Sequence, residues 1–255
     1  MKKNKGFNTG GVIVVVAVAV LLIIATIIIN KANSESTNFK EYDFNTIIEP
    51  SDDNGQIGDN VKGDKNAPVL IFEYADFQCG YCARMNIWLN DLIEELDGKL
   101  AIVYRSYILS YHQNGTAAAS AAEAAGLQGY WKPYADKLFN EQAEWSEASA
   151  SERTELFDKY FTEVTKGKGD LEKFNSDLAS KQVSDKISFD MGIGKRLGTI
   201  TGTPSLFIDG KLIDFGNKNG SSITVNGETF SWDEPVSSTE DFKQLIKDIV
   251  KAKLK

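Results

Sequence analysis

The chain has 255 residues, 42% of them hydrophobic, which is enough for one large or two small packed domains. Its net charge is −8, and residues after position 34 carry −12 because four lysines are the only charges before that point; this acidic body argues against a nucleic-acid partner. Two cysteines and one histidine are too few for a structural zinc site, which needs about four ligands, so neither a metal nor another cofactor is expected.

The first predicted element is a transmembrane anchor over residues 12–30. Residues 12–29 contain no charge and, as a helix, would span roughly 27 Å, close to the thickness of a bilayer core. Three lysines precede the run, so the positive-inside rule places residues 1–11 in the cytoplasm and the rest of the chain outside. A cleaved signal peptide is the alternative, with residues 32–34 as a weak cleavage site. We therefore expect a single-pass cell-membrane protein that contacts the lipid bilayer through residues 12–30.

Residues 31–60 are expected to form an extracytoplasmic linker. They are rich in Asn, Ser, Asp and Glu and have little periodicity, which favours a solvated tether. Four apolar side chains leave open a short strand or docking on the body; they are Tyr42, Phe44, Ile47 and Ile48.

Residues 61–255 are predicted to form one α/β domain. Val69 to Phe72 and Leu100 to Tyr104 are apolar runs typical of buried strands. Between them, apolar residues recur at helical spacing from Met85 to Leu96. Strand, helix and strand within about forty residues indicate a right-handed parallel β-α-β unit.

The second half of the domain is predicted to be helical and then to return to strands. Residues from about 112 to 198 read as a helical insertion of four or five short helices. Asp209-Gly210 and Asn226-Gly227 predict two hairpins, the second with Phe230 and Trp232 as core residues or, less favoured, as a partner surface. A closing amphipathic helix begins near Ser238. The expected result is a mixed sheet covered on both faces by helices.

The only two cysteines, Cys79 and Cys82, lie between the first predicted strand and its helix. A cysteine in the first turn of a helix lies near unpaired N–H groups and the positive end of the helix dipole, which lower the thiol pKa from about 8.5 by one or more units. Cys79 is therefore the predicted nucleophile, and Cys82, one turn deeper, would attack Cys79 to resolve a mixed disulfide. A static structural disulfide is the alternative, although closing a four-residue loop stabilises a protein little.

Two motifs resemble the DsbA-like branch of the thioredoxin superfamily. They are Glu-Tyr-Ala-Asp-Phe-Gln-Cys-Gly-Tyr-Cys, which ends at Cys82, and Thr-Gly-Thr-Pro, which ends at Pro204. The likeness extends from about Val61 through the helical insertion to Lys211. It implies a thioredoxin-like sheet with a helical insertion, and a DsbA-like thioredoxin-fold domain over residues 61–255.

The resemblance also implies roles for individual residues. Pro204 matches the cis-proline that faces the disulfide and helps bind the extended chain of the substrate. Glu73 matches the buried acid that accepts or relays the proton of the deeper cysteine. Gly80, Tyr81 and Thr203 would contact the substrate. His112 is expected to be a loop or packing residue, with a catalytic base as the less favoured alternative.

The function expected from these features is an extracytoplasmic thiol–disulfide oxidoreductase. Its partners would be reduced or misoxidised exported proteins and a membrane or extracytoplasmic redox partner. Gly80 stands where many oxidising members have proline, and Gly-Tyr between the cysteines with Thr203 before Pro204 occurs in isomerases. Oxidant, isomerase and reductase therefore all stay open, as does a non-catalytic thioredoxin-fold binding module with a static disulfide.

Overall fold

The computed structural model describes residues 39–213, 221–232 and 238–255. Its strands are β1 (Asn60–Gly63), β2 (Val69–Ala75), β3 (Leu100–Ser106), β4 (Ser205–Ile208), β5 (Lys211–Ile213), β6 (Ser221–Val225) and β7 (Glu228–Trp232). Its helices are α1 (Gly80–Glu95), α2 (Gly115–Gly126), α3 (Trp131–Asn140), α4 (Gln142–Trp145), α5 (Ala150–Thr165), α6 (Leu171–Asp177), α7 (Lys181–Leu197) and α8 (Thr239–Lys253). The predicted anchor, residues 12–30, lies outside the described residues. Within the three described ranges, no helix combines the length and apolar composition needed to cross a bilayer.

Five strands form a mixed sheet in the order β1-β3-β2-β4-β5. Strands β2 and β3 are parallel, from Val69 opposite Leu100 to Ala75 opposite Ser106, and α1 connects them. The other pairs in this sheet are antiparallel. The β-α-β unit and the mixed sheet predicted from the apolar runs are therefore confirmed.

The two faces of the sheet are covered by different elements, and alternation along β2 assigns each side chain to a face. Val69 and Ile71 pack in a cluster with residues of α1 and α8. Phe72 and Tyr74 pack on the opposite side, against residues of α7 and of the segment before β1. Because helices cover both faces, the central strands are apolar almost throughout.

Helices α2 to α7 occupy the region predicted as the helical insertion. Their core is aromatic and alanine-rich, and Phe77 from the turn after β2 and Tyr104 from β3 pack into it. Ser149 and Ser180 begin α5 and α7 by accepting hydrogen bonds from backbone N–H groups three residues later. Helix α7 ends at Gly198, whose φ of 67° is in the left-handed region that glycine adopts readily.

Both predicted hairpins are present. Asp209 and Gly210 have φ values of 50° and 72°, and Asn226 and Gly227 have 48° and 81°, as two-residue hairpin turns require. Strands β6 and β7 form their own two-stranded sheet. Phe230 packs against the apolar cluster beneath α8, as expected for a core residue, whereas the side chain of Trp232 lies outside the described part. The closing helix begins at its predicted cap, because the Ser238 side chain accepts a hydrogen bond from the N–H of Asp241.

The segment from residue 39 to 59 packs on the domain. Ile48 is buried, and the guanidinium of Arg105 donates to the carbonyl oxygens of Phe44 and Thr46, each at 2.9 Å. Residues 39–59 therefore do not form the solvated tether expected for residues 31–60, because their carbonyl groups accept hydrogen bonds from the buried Arg105. The docked arrangement, which the apolar side chains had left open, is the one observed; residues 31–38 lie outside the described ranges.

Candidate active site

A short turn leads from β2 into α1 and carries the first cysteine. The Asp76 carboxylate accepts a hydrogen bond from the N–H of Gln78 (2.9 Å), and the Asp76 carbonyl accepts one from the N–H of Cys79 (3.0 Å). Aspartate stabilises turns by this local hydrogen bonding. Cys79 is the N-cap residue of α1, and Cys82 lies inside its first turn. The structure therefore places the dithiol at a helix N-terminus.

Hydrogen-bond donors surround the sulfur of Cys79, which is only 6% exposed. A hydrogen bond from the Cys82 thiol contributes most to lowering the pKa of Cys79. Burial opposes it, and the Thr203 side chain and the backbone N–H groups of Cys82 and Tyr81 lower the pKa further. The pKa is about 5, so Cys79 is a thiolate at neutral pH.

Cys82 has the opposite environment. It is 0% exposed, and burial raises its pKa well above the ordinary value for a thiol. The hydrogen bond to Cys79 and the negative charges of Cys79 and Glu73 raise that pKa further. Both cysteines are free thiols in the structure. The two sulfurs are thus chemically different: Cys79, which is 6% exposed, is a thiolate, and Cys82, which is fully buried, is a protonated thiol.

The Thr203–Pro204 peptide bond is cis, the isomer that the resemblance implies. It precedes β4, which pairs with β2 through Ser205 opposite Tyr74, so this loop lies beside the dithiol turn. When protonated, the Cys79 thiol donates to the Thr203 carbonyl at 3.2 Å. The Thr203 hydroxyl is buried and has no hydrogen-bond partner among the described residues.

Glu73 lies on the face of β2 that is directed at α1. It is 2% exposed, and its Oε1 has no hydrogen-bond partner within the described ranges. Burial raises the pKa of Glu73 to about 7; the positive charge of Lys62 counteracts this effect and the charge of Cys79 adds to it. A carboxyl group that titrates near pH 7 can both accept and release a proton there. The structure thus places the predicted acid within electrostatic range of Cys82.

Lys62 on β1 is a site residue that the sequence analysis missed. Its buried ammonium group pairs with Asp136 at 2.8 Å and also donates to Asn86 of α1. Lys62 is opposite Ile102 in the sheet, which puts its side chain on the same face as Glu73. Strand β1 has only four residues, too few for a period that would mark this lysine as inward-facing.

Hydrogen bonds connect the loop after β3 with the turn that carries Cys79. His112 Nδ1 lies 2.7 Å from Asp76 Oδ2, which also accepts a hydrogen bond from the N–H of Leu109 at 2.9 Å. The N–H of Asn114 donates to Gln78 Oε1 at 2.7 Å. His112 is a loop residue, as expected, but its contact with Asp76 connects residues 36 positions apart and has no local sequence signal.

The surface around Cys79 is accessible to a partner chain. Tyr81 is 69% exposed, and the Arg84 guanidinium lies 5.5 Å from the centre of its ring. Gly80 is also exposed. An exposed aromatic ring next to the reactive sulfur is suited to contacting a substrate chain, as predicted for Tyr81. The substrate-binding roles of Gly80, Tyr81 and Thr203 stay predictions.

Sequence comparison finds similarity to known proteins over most of the domain. A family model described as Thioredoxin matches residues 56–248. The Na(+)/H(+) antiporter NhaA of Herminiimonas arsenicoxydans is 32% identical over 213 residues, which cover 82% of this chain and 32% of that protein. The antiporter NhaA 1 of Salinispora arenicola is 32% identical over 155 residues, or 60% of this chain and 22% of that protein. The chain thus spans a third or less of the length of these relatives.

Solved structures with a DsbA-like fold are similar in three dimensions. Wolbachia pipientis α-DsbA1 has a TM-score of 0.55 and 25% identity, with 77% of this chain and 92% of that one covered. Oxidised BdbD of Bacillus subtilis has a TM-score of 0.53 and 16% identity, with 83% and 99% covered. The catalytic domain of Proteus mirabilis ScsC has a TM-score of 0.54 and 13% identity, with 76% and 89% covered. The last two likenesses concern the fold alone.

Proposed function

Because the chain belongs to the thioredoxin family, we propose that it is an extracytoplasmic thiol–disulfide oxidoreductase that forms or reshuffles disulfides in exported proteins. The observation that carries the proposal is the inequivalence of the two sulfurs. The pKa of Cys79 is about 5, whereas burial raises that of Cys82 well above its usual value. A static bridge between two structural cysteines does not require such a difference. The DsbA-like neighbours support the same reaction class.

The reaction begins with the oxidised pair. A substrate thiolate attacks Cys79 Sγ, so a substrate–Cys79 disulfide forms and the Cys79–Cys82 bond breaks. Cys82 leaves with the bonding electrons and takes a proton, which Glu73 supplies. A second substrate thiolate then attacks the substrate sulfur of the mixed disulfide, and Cys79 leaves as a stable thiolate. The substrate is oxidised and the dithiol is reduced, so a redox partner must reoxidise it; attack by Cys82 on the mixed disulfide is the reverse route and permits reshuffling.

The acidity of Cys79 favours disulfide donation over substrate reduction. A reductant such as thioredoxin has a nucleophilic cysteine with a pKa of about 7, and a strong oxidant such as DsbA has one of about 3.5. A value of about 5 lies between them. The lower this pKa is, the better Cys79 leaves and the more stable the reduced protein is. Isomerisation uses the same sulfurs and is the second activity that we propose.

The proposed location is the outer side of the cell membrane, with residues 12–30 as an uncleaved anchor. The uncharged run and the three lysines before it support this orientation. The relatives named as antiporters are much longer than the matched segment, so the shared part is proposed as a redox module and ion transport is not assigned to it. Labelling of single engineered cysteines in a Cys79→Ser/Cys82→Ser background, on intact cells, would test the topology; labelling only after lysis would overturn it.

Selective alkylation tests the difference in pKa between Cys79 and Cys82. The reduced protein is treated with iodoacetamide between pH 4 and 9, and the modified residue is identified by mass spectrometry. Cys79 is expected to react with a midpoint near pH 5, while Cys82 resists throughout. If both thiols titrate like free cysteine, and the oxidised protein neither oxidises nor isomerises a reduced test protein, the static-bridge alternative is correct.

A trapping variant and the reduction potential refine the activity. Cys82→Ser should accumulate mixed disulfides through Cys79, and Cys79→Ser should accumulate none. A potential near −120 mV would favour an oxidant, whereas a value near −270 mV would favour a reductant.

A further inference from the structure

The Asp76 carboxylate is held from every side. Oδ1 accepts from the N–H of Gln78, and Oδ2 accepts from the N–H of Leu109 and lies 2.7 Å from His112 Nδ1. The backbone of Gly115, the first residue of α2, closes the remaining side: a Cβ there would lie 2.8 Å from Oδ1. The carboxylate is completely buried and cannot turn away from these partners.

The same residue touches both cysteines through its backbone. Its carbonyl accepts from the N–H of Cys79, and its backbone hydrogen bond to the Cys82 sulfur lowers the pKa that burial raises. The charges of Cys82, Glu73 and Asp76 all act on the buried hydroxyl of Tyr104, whose pKa burial raises in the first place. The two acids and the deeper sulfur therefore share one buried region.

This arrangement poses an electrostatic problem for thiol exchange. Cys82 carries negative charge each time it attacks the mixed disulfide or leaves from the Cys79–Cys82 bond, and buried negative charges nearby oppose that step. Glu73 can be neutral, since its pKa is about 7. The buried Asp76 carboxylate accepts two backbone hydrogen bonds and lies 2.7 Å from His112 Nδ1. Among the described residues, His112 is the basic side chain paired with it.

We propose that His112 is a positioning residue of the dithiol that acts through Asp76: its imidazolium neutralises the buried carboxylate so that Cys82 can bear negative charge during exchange. The inference rests on the proposed function. In the step concerned, a bond forms between Cys82 and Cys79, the bond between Cys79 and the substrate sulfur breaks, and the substrate sulfur leaves with the electron pair. The proton of Cys82 passes to Glu73. Cys82 is oxidised as the substrate sulfur is reduced.

The surroundings of His112 supply a control. It lines a surface groove of about 530 Å³ together with Lys195 of α7, and the other groove residues from α2 and α7 are uncharged. The Tyr111 ring lies edge-on to the imidazole, 4.6 Å between centroids. Lys195 is exposed and no described ion pair connects it with Asp76. Removing its charge therefore changes the local field without touching the Asp76–His112 pair.

The test follows the two steps separately in one experiment. The reduced full chain reacts with Ellman's reagent in a stopped-flow instrument: attack by Cys79 releases the first coloured thiolate, and resolution by Cys82 releases the second. His112→Asn keeps an N–H donor near the position of Nδ1 but removes the charge. At pH 6 it should leave the first phase unchanged and slow the second roughly tenfold, which corresponds to about 1.4 kcal/mol in the barrier of the resolving step. Lys195→Gln should change neither phase.

Two further observations distinguish charge from structure. The difference between wild type and His112→Asn should be larger at pH 6 than at pH 8.5, because the imidazole carries a charge only when it is protonated. In an Asp76→Asn background, adding His112→Asn should have no further effect on the second phase. An equal slowing at pH 6 and 8.5, or a persisting effect in that background, would overturn the inference.

The readout also separates the inference from the proposed function. If the wild-type protein shows no second phase, Cys82 does not resolve the mixed disulfide and the proposed function itself fails. If Asp76→Asn does not fold, the pH dependence of His112→Asn and His112→Gln decides alone.

Discussion

Two groups of buried charges lie on opposite faces of the sheet and differ in how completely their charges are paired. On the face covered by α7 lies what we call the arginine cluster: Arg105, Asp59, Lys186 and Asp190. On the face covered by α1 lies the dithiol cluster: Cys82, Glu73 and Lys62. All seven side chains are buried, but only the second group contains a carboxylate oxygen without a described partner.

In the arginine cluster every charge is matched. Arg105 binds both oxygens of Asp59, at 3.1 and 2.7 Å, and also donates to the Tyr74 hydroxyl and two backbone carbonyl groups. Lys186 pairs with Asp190 at 2.6 Å and lies 3.6 Å from Asp59. Although burial alone would raise the pKa of Asp59, these two cations hold it below its ordinary value. A group kept charged in this way cannot exchange protons near neutral pH.

In the dithiol cluster the match is incomplete, because Lys62 is engaged by Asp136 and Asn86. Glu73 consequently titrates near pH 7 instead of staying charged. The comparison teaches that burial does not decide what a charge does. The fully paired Asp59 stays charged, whereas the incompletely paired Glu73 is ready to take or release a proton near neutral pH.

The largest expected effect is a loss of stability on the arginine face. Arg105→Met leaves Asp59 without its bidentate partner. It also leaves the carbonyl groups of Phe44 and Thr46 without their hydrogen-bond donor. Breaking a buried ion pair from one side costs about 3–5 kcal/mol. Urea unfolding should show a decrease of that size in the free energy of unfolding, while the alkylation midpoint of Cys79 stays near pH 5.

The matched control is an exposed lysine pair. Lys132 lies 2.9 Å from Asp136 but is 51% exposed, and exposed pairs contribute less than about 1 kcal/mol. Lys132→Met should therefore barely change stability. A shift in the Cys79 midpoint in Arg105→Met, with little destabilisation, would show that the arginine cluster serves the chemistry and would break the comparison.

The next effect concerns Glu73. Between pH 4.5 and 7 its carboxyl group stays protonated in the folded state and ionises in the unfolded chain, so the folded state binds more protons and stability falls as pH rises. The contribution amounts to about 3 kcal/mol over that interval. Glu73→Gln should remove it, which denaturant unfolding at pH 5 and 7 can measure as the difference from wild type. The second phase of the Ellman reaction should also slow about 100-fold, the loss typical of removing a general base.

Glu123 offers a control for that prediction. Burial also raises its pKa to about 7, with Lys186 counteracting, but Glu123 is not among the main groups that shift the pKa of either cysteine. Glu123→Gln should remove a similar pH-dependent contribution and leave both Ellman phases unchanged. Slower exchange in Glu123→Gln would mean that the slowing in Glu73→Gln reflects general destabilisation and not proton transfer.

The smallest effect tests the backbone of the dithiol face. Gly80 is the first residue of α1, where proline is favoured, and Cys79 before it has the extended angles that proline prefers in its neighbour. A Cβ at this position meets only Gln142 Oε1, at 3.8 Å. Gly80→Pro should raise the free energy of unfolding by about 0.4–1 kcal/mol, through the unfolded state. The Cys79 midpoint should move little, because the N–H of Gly80 is not among the main groups that lower this pKa.

Local patterns in the chain were sufficient for much of the fold and for the reactive sulfurs. The β-α-β unit follows from two apolar runs and an amphipathic helix, and the hairpins follow from Asp-Gly and Asn-Gly dipeptides. Cys79 is placed at the N-cap by residues next to it in sequence. These features could be predicted because each depends on interactions within a few residues.

The charged surroundings of the dithiol could not be predicted from local sequence patterns. Lys62 and Glu73 lie on two strands that β3 separates, and Cys82 lies on a helix, so whether their charges balance depends on the packing of all these elements. The pairing of His112 with Asp76, and of Arg105 with the segment before β1, likewise joins residues 36 or more positions apart. The sequence thus decided which groups could react, whereas the tertiary structure decided their protonation, because pKa values depend on burial and on charges that only folding brings together.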